Sequence, residues 1–186
     1  MARKVAVVVG SLRRESFTRK VANAIAAVAP AELRFEHVEI GKLPLYDQDL
    51  EAAPPAEWQK FREQVRGMDA VLFATPEYNR SIPGPLKNAI DVGSRPYGKS
   101  AWSGKPCAVV SVSPGAVGAF GANHHLRQML VFLDMPCLQQ PEMYINGADK
   151  IFDAGGKVSR DGVEDLFRKF AGAFARWIDR NAPSGQ

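Results

Sequence analysis

Lys4-Val-Ala-Val-Val-Val-Gly10 runs directly into Ser11-Leu-Arg13-Arg-Glu-Ser16-Phe17-Thr18. A short, unbroken β-branched run that closes on glycine is the pattern of a strand covered on both faces in a parallel sheet. Past the polar turn, Val21, Ala22, Ile25, Ala26 and Val28 recur at helical spacing until Pro30. Strand, polar turn and helix together open a βαβ unit. The turn collects hydroxyls at Ser11, Ser16 and Thr18, a guanidinium at Arg13, and the free N–H groups of a helix N-terminus. That combination cradles a phosphate. Its spacing is neither GxGxxG nor GxxxxGK[ST], and Lys20 is not placed as a Walker lysine, so a single terminal phosphate fits better than a dinucleotide or a nucleoside triphosphate. On the turn alone, an N-cap at Ser16 or Thr18 beside a solvated Arg13 fits equally well.

The strand-loop-helix cycle recurs along the chain. A second strand fits Leu33 to Ile40, with mixed polarity on both faces, as at a sheet edge. Gly41 to Pro55, with three prolines, reads as a surface excursion bordering the site, followed by a helix at Ala56 to Gly67. Strand Ala70 to Ala74 precedes helix Leu86 to Val92, and strand Cys107 to Val112 precedes helix Asn123 to Leu133. A last strand fits Leu138 to Ile145 and a last amphipathic helix fits Val163 to Ile178. Such alternation calls for an α/β, doubly wound parallel sheet with right-handed crossovers and helices on both faces. The expected domain is a single one over 1–186, and ligands bind beyond the carboxyl ends of its strands.

Two further loops should meet the first there. Thr75-Pro76-Glu77-Tyr78-Asn79-Arg80-Ser81-Ile82-Pro83-Gly84-Pro85 is stiffened by three prolines, and a preorganised backbone suits the polar edge of a flat heterocycle. A plain connector with Glu77 and Asn79 satisfying local backbone is the competing reading. Ser111 to Gly121 is rich in small residues, which lets a ligand approach the backbone closely.

Composition narrows the partners. The net charge of +4 is spread among interleaved acids and bases, without the basic run that nucleic acid favours. No apolar run reaches the roughly 20 residues of a membrane span, and the first strand starts close to the initiator Met, so a cytoplasmic location is expected. Cys107 and Cys137, each beside a proline and without CxxC spacing, read as buried free thiols. His37, His124 and His125 have no third ligand nearby in sequence, so no metal is expected.

Gly10-Ser-Leu-Arg13 with Ser16-Phe17-Thr18, Thr75-Pro-Glu-Tyr-Asn79 continuing through Ser81 to Leu86-Lys-Asn-Ala-Ile-Asp91, and His125-Leu-Arg-Gln128 resemble the NADPH-dependent FMN reductase family, notably its bacterial chromate and quinone reductase branch. The resemblance spans nearly the whole chain and implies a flavodoxin-like five-stranded sheet of order 2-1-3-4-5. It implies an FMN phosphate site at Ser11, Arg13, Ser16, Phe17 and Thr18. It also implies an isoalloxazine site at Pro76, Glu77, Tyr78, Asn79, Ser81 and Ile82, with Ser113 and Gly115 at the far edge. NADPH or NADH would be the hydride donor and quinones, chromate or azo compounds the acceptors, in a ping-pong cycle at one open face. Homodimers or dimers of dimers are implied, with Arg127 and Glu142 resembling subunit-contact residues, an intrahelical or surface salt bridge being the equally simple alternative. The Ser94 to Gly98 loop would reach toward a neighbour's site, where Arg95 would meet an anionic acceptor or nucleotide, a solvated loop arginine being the alternative. The chain departs from the family at Thr18, where many relatives carry Asn, and at Ala119, where many carry the second glycine of a pair.

No catalytic triad or acid/base dyad is needed, because the flavin carries the chemistry while Tyr78 and Asn79 position it. A flavodoxin-like electron carrier is the rival of another class, but carriers are typically strongly acidic and this chain is basic. A regulatory module of the same shape would leave the Pro76 to Pro85 loop unexplained.

Overall fold

The computed structural model describes residues 2–181. The ends of the expected 1–186 domain, Met1 and 182–186, lie outside them. Five parallel strands, β1 (Arg3–Val9), β2 (Leu33–His37), β3 (Ala70–Thr75), β4 (Cys107–Val112) and β5 (Met143–Ile145), form one sheet in the order β2-β1-β3-β4-β5. The helices between and after them are α1 (Phe17–Ala27), α2 (Ala56–Arg66), α3 (Gly84–Gly93), α4 (Phe120–Phe132) and α5 (Val163–Asn181).

The two-residue period of the strands sorts their side chains into two cores. Val5, Val7 and Val9 face α1 and α5, where they meet Val21, Ile25, Phe167, Phe170 and Phe174. Ala6 and Val8 face the other way, with Phe73 and Val109, toward Trp58 of α2, Leu86 of α3 and Leu126 of α4. β1 is thus buried on both sides, as its unbroken apolar run requires.

Two strands are shorter than the sequence pattern. The segment Leu138 to Ile145 does not run as one strand: it touches β4 through a bridge between Cys107 and Cys137, leaves the ladder, and pairs again only at Met143. Pro141, which has no N–H to donate, stands in the gap. β2 ends at His37 rather than Ile40, and Val38 and Ile40 turn instead into the second core, 2% and 3% exposed. The sheet order still leaves β2 at an edge, as its mixed polarity implies. In the 41–55 excursion, Asn88 of α3 accepts from Tyr46 N–H (2.8 Å) and donates to the carbonyls of Leu43 (3.3 Å) and Pro44 (3.0 Å). A short 3₁₀ turn, Gln48–Ala52, follows.

Order reverses between β1 and β3, where neighbouring connections leave to opposite sides. The crevice beyond their carboxyl ends is the ligand position in such sheets. Gly10 N–H donates to Ala74 O (2.8 Å) there, which carries the pairing one residue past β1.

Candidate functional site

The first loop enters α1 through Ser16, whose side chain accepts from Arg19 N–H at 3.1 Å while its carbonyl accepts from Lys20 N–H. Ser16 is therefore the N-cap, and Phe17 and Thr18 occupy the first turn. Their N–H groups have no protein acceptor among the described residues. Ser11 and Thr18 are buried, 5% and 3% exposed, yet their hydroxyls make no protein hydrogen bond among the described residues, and neither oxygen is sealed from solvent. Hydroxyls that are free to donate and open to solvent, beside unused N–H groups at a helix N-terminus, can take up an anion. The neighbouring charges differ in their engagement. Arg19 grips Glu39 at 2.9 and 3.0 Å and Lys20 pairs with Glu15 at 2.8 Å, whereas Arg13 is exposed and in no ion pair among the described residues.

The second loop is stiff for a reason its prolines do not reveal. Tyr78 and Ser81 exchange both backbone hydrogen bonds (3.0 and 2.9 Å), and Asn79 and Arg80 between them have φ of 50° and 65°. Two left-handed central residues make this a miniature type I′ hairpin. Asn tolerates that conformation, while Arg80 is strained by about 1 kcal/mol. The hairpin consumes the N–H of Tyr78 but leaves those of Glu77, Asn79 and Arg80 without a protein acceptor among the described residues. Side chains divide as well: Tyr78 is half exposed, Ile82 belongs to the second core at 7% exposure, and Ser81 Oγ lies 2.7 Å from His125 Nδ1. Pro76 packs 3.4 Å from where a Cβ on Gly10 would stand, which brings the first two loops together. Because glycine suits the second central position, Arg80→Gly is expected to hold or raise thermal stability, by up to about 1 kcal/mol. A loss greater than that in a melting experiment would contradict the strained-turn description.

The third loop follows β4. Ser113 Oγ accepts from Gly115 N–H at 3.0 Å, and its own N–H donates to Ile145 O at 2.9 Å. Gly118 and Ala119 both take positive φ, 57° and 60°. Ala119 thus holds a backbone shape that glycine adopts freely. It is also the N-cap of α4, without a side chain to cap it. Glu77 performs that task from the second loop, its Oε2 accepting from Ala122 N–H at 2.9 Å.

Behind the third loop runs a buried polar chain. Ser111 Oγ donates to Gly118 O (2.8 Å), Asn123 Nδ2 donates to Ser111 Oγ (3.1 Å), and Arg127 Nε donates to Asn123 Oδ1 (2.9 Å). Arg127 also reaches Leu138 O (2.9 Å) and Cys137 Sγ (3.3 Å), so its guanidinium is engaged within its own chain. Cys107 is buried but Cys137 only half-buried, which corrects the expectation for the second thiol. Parallel pairing makes them neighbours: burial pushes the Cys107 thiol well up, and a hydrogen bond with Cys107 lowers that of Cys137. His124 Nε2 lies 2.8 Å from the Tyr144 hydroxyl, and its ring packs against Phe120. Burial first, and then Glu142, pushes Tyr144 up to about 12, so it stays a phenol at neutral pH. His37 sits between Arg19 and Asn23. Among the described residues no cluster of three metal-ligating side chains occurs.

Arg95 lies over the ring of Tyr46 at 6.0 Å. It lines a groove of about 590 Å³ between α3 and α4 with Tyr97, His125 and Phe132.

The NADPH-dependent FMN reductase model matches residues 3–150. The chain is 64% identical over 178 residues to a quinone reductase of Pseudomonas putida, covering 95% of each chain. It is 45% identical to a 2-hydroxy-1,4-benzoquinone reductase of a Burkholderia species, covering 96% of this chain and 97% of the relative. Among solved structures, the flavoenzyme NAD(P)H:(acceptor) oxidoreductase FerB of Paracoccus denitrificans superposes with a TM-score of 0.92 at 38% identity, over 98% of this chain and all of that one. With a doubly wound sheet, unused N–H donors after β1 and a short hairpin after β3, the chain belongs to the NADPH-dependent FMN reductase family.

Proposed function

We propose that this chain, as one FMN-binding domain over 1–186, reduces quinones with NAD(P)H in a ping-pong cycle in which donor and acceptor take turns at one open face. The observation that carries the site is the set of unpartnered donors in the first loop, set against the free N–H groups of the second. The phosphate would be held by the hydroxyls of Ser11, Ser16 and Thr18, the N–H groups of Phe17 and Thr18, and Arg13. The isoalloxazine would meet the N–H groups of Glu77, Asn79 and Arg80, with Pro76, Tyr78 and Ile82 beside it and Ser113 and Gly115 at its far edge. Bound FMN supplies the hydride-transfer chemistry. The protein's part is to fix the ring, order its polar edge and leave one face open. Chromate is a further acceptor in this proposal, with Arg95 drawing anionic substrates, and the setting is the cytoplasm.

Assembly of two or four copies belongs to the same proposal. Val131 and Phe132 on α4 are 80% and 85% exposed, and Tyr97 beside the α3–α4 groove is 85% exposed. An apolar face of this kind is what a second copy would cover.

The test is anaerobic addition of NADPH or NADH to FMN-loaded protein. Bleaching of the visible flavin band, and repeated turnover once a benzoquinone is supplied, are expected. A band that neither nucleotide bleaches would leave an electron carrier instead. In the same assay Arg13→Ala should bind FMN about tenfold to a hundredfold more weakly, the scale of lost charge-assisted hydrogen bonds. Unchanged affinity would move the phosphate elsewhere.

A further inference from the structure

Glu77 stands in the flavin loop, yet its carboxylate points away from the loop's own backbone and into α4. Its side chain is 13% exposed. Oε2 accepts from Ala122 N–H at 2.9 Å, and Oε1 meets Arg80 Nη1 at 3.4 Å. α4 is a thirteen-residue helix whose N-cap, Ala119, carries no acceptor and sits in the left-handed region. Its first-turn N–H groups therefore lack the local oxygen that Ser, Thr, Asp or Asn would provide. A carboxylate is well suited to that end of the helix dipole. Gly121 is the complementary feature: a Cβ there would come within 2.9 Å of Glu77 Oε2 and 3.1 Å of Arg80 O, so the close approach of hairpin and helix depends on that residue's lacking a side chain.

We propose that Glu77 is a positioning residue, acting as the N-cap that Ala119 cannot supply and thereby setting the separation of the second and third loops across the flavin's polar edge. The proposal rests on the reading that FMN lies between those loops. The residue preceding the hairpin is held by a helix that begins in the third loop, so any movement of that helix end carries the N–H groups of Asn79 and Arg80 with it. The Ser81–His125 contact ties the other end of the hairpin to the same helix. The hairpin is thus fastened to α4 at both of its ends.

FMN titration of the apoproteins, with spectra of the bound flavin, separates this role from direct contact and from general bracing. Glu77→Ala is expected to weaken FMN binding about tenfold, the scale of one lost hydrogen bond, and to shift the bound spectrum toward that of free FMN. Glu77→Gln keeps a carbonyl oxygen for Ala122 N–H and should remain within about threefold of wild type. Gly121→Ala, which forces the two parts apart while leaving Glu77 in place, should reproduce the spectral shift of Glu77→Ala and serves if that variant does not fold. A Glu77→Ala protein with wild-type FMN affinity and spectrum, even if it melts lower, overturns the proposal. So does a Glu77→Gln protein as weak as Glu77→Ala, because charge rather than capping would then be at work. Wild-type apoprotein that takes up no FMN would overturn the flavin reading itself, an outcome visible before any variant is made.

Discussion

Trp102→Ala is expected to lower the unfolding free energy by about 3–5 kcal/mol, the range for truncating a buried large aromatic residue. Trp102 is fully buried in the second core, against Phe61 and Phe73 at centroid distances of 5.8 and 5.6 Å. Its Nε1 donates to Ile90 O at 3.0 Å, so the substitution both opens a cavity and leaves a buried carbonyl with one partner fewer. For a chain of this size the loss corresponds to a melting temperature lower by about 10 °C. A drop below about 4 °C would mean that the layer collapses to fill the space. Ile90 lies on α3, whose start follows the second loop directly, so the damage should reach the flavin site through that helix.

The second large effect is expected at Gly118. Its φ is +57°, and a Cβ there would stand 2.7 Å from Tyr144 C and 2.8 Å from Tyr144 O. Gly118→Ala meets a left-handed penalty of about 1 kcal/mol and a backbone clash of about 1–3 kcal/mol. Relief requires the third loop to move off β5, which breaks the Ser111–Gly118 hydrogen bond behind it. FMN affinity should fall about 30-fold, the equivalent of roughly 2 kcal/mol. Gly104→Ala is the control, because Gly104 shares the positive φ (+75°) but has open space around its Cβ position. If the two variants bind FMN equally well, the third loop does not depend on its contact with Tyr144.

The fold was legible because its signals are local. Val5, Val7 and Val9 alternate with Ala6 and Val8 in one short run, and that run alone specifies a strand buried on both faces. What stayed hidden depends on pairing between distant segments. The adjacency of Cys107 and Cys137 is a product of parallel register, and no spacing in the chain announces it. The second loop is recognisable as stiff from its prolines, but the hairpin inside it replaces the usual Asn-Gly with Asn79-Arg80 and so lacks the usual signature. Glu77 and Ser81 read as ligands to the flavin because they lie in its motif; their side chains are directed to α4, which only the folded chain brings near. The break in the last strand had a local sign in Pro141, and the apolar residues around it masked that sign.

The two borders of the sheet have a consequence for solubility. β5 offers only three residues of free edge, and β2 carries Arg34 paired with Glu36 at 3.1 Å along its own. Short or charged edges are poor templates for an incoming strand. A sheet whose central strands are almost wholly aliphatic is therefore protected at both ends against growing into an aggregate.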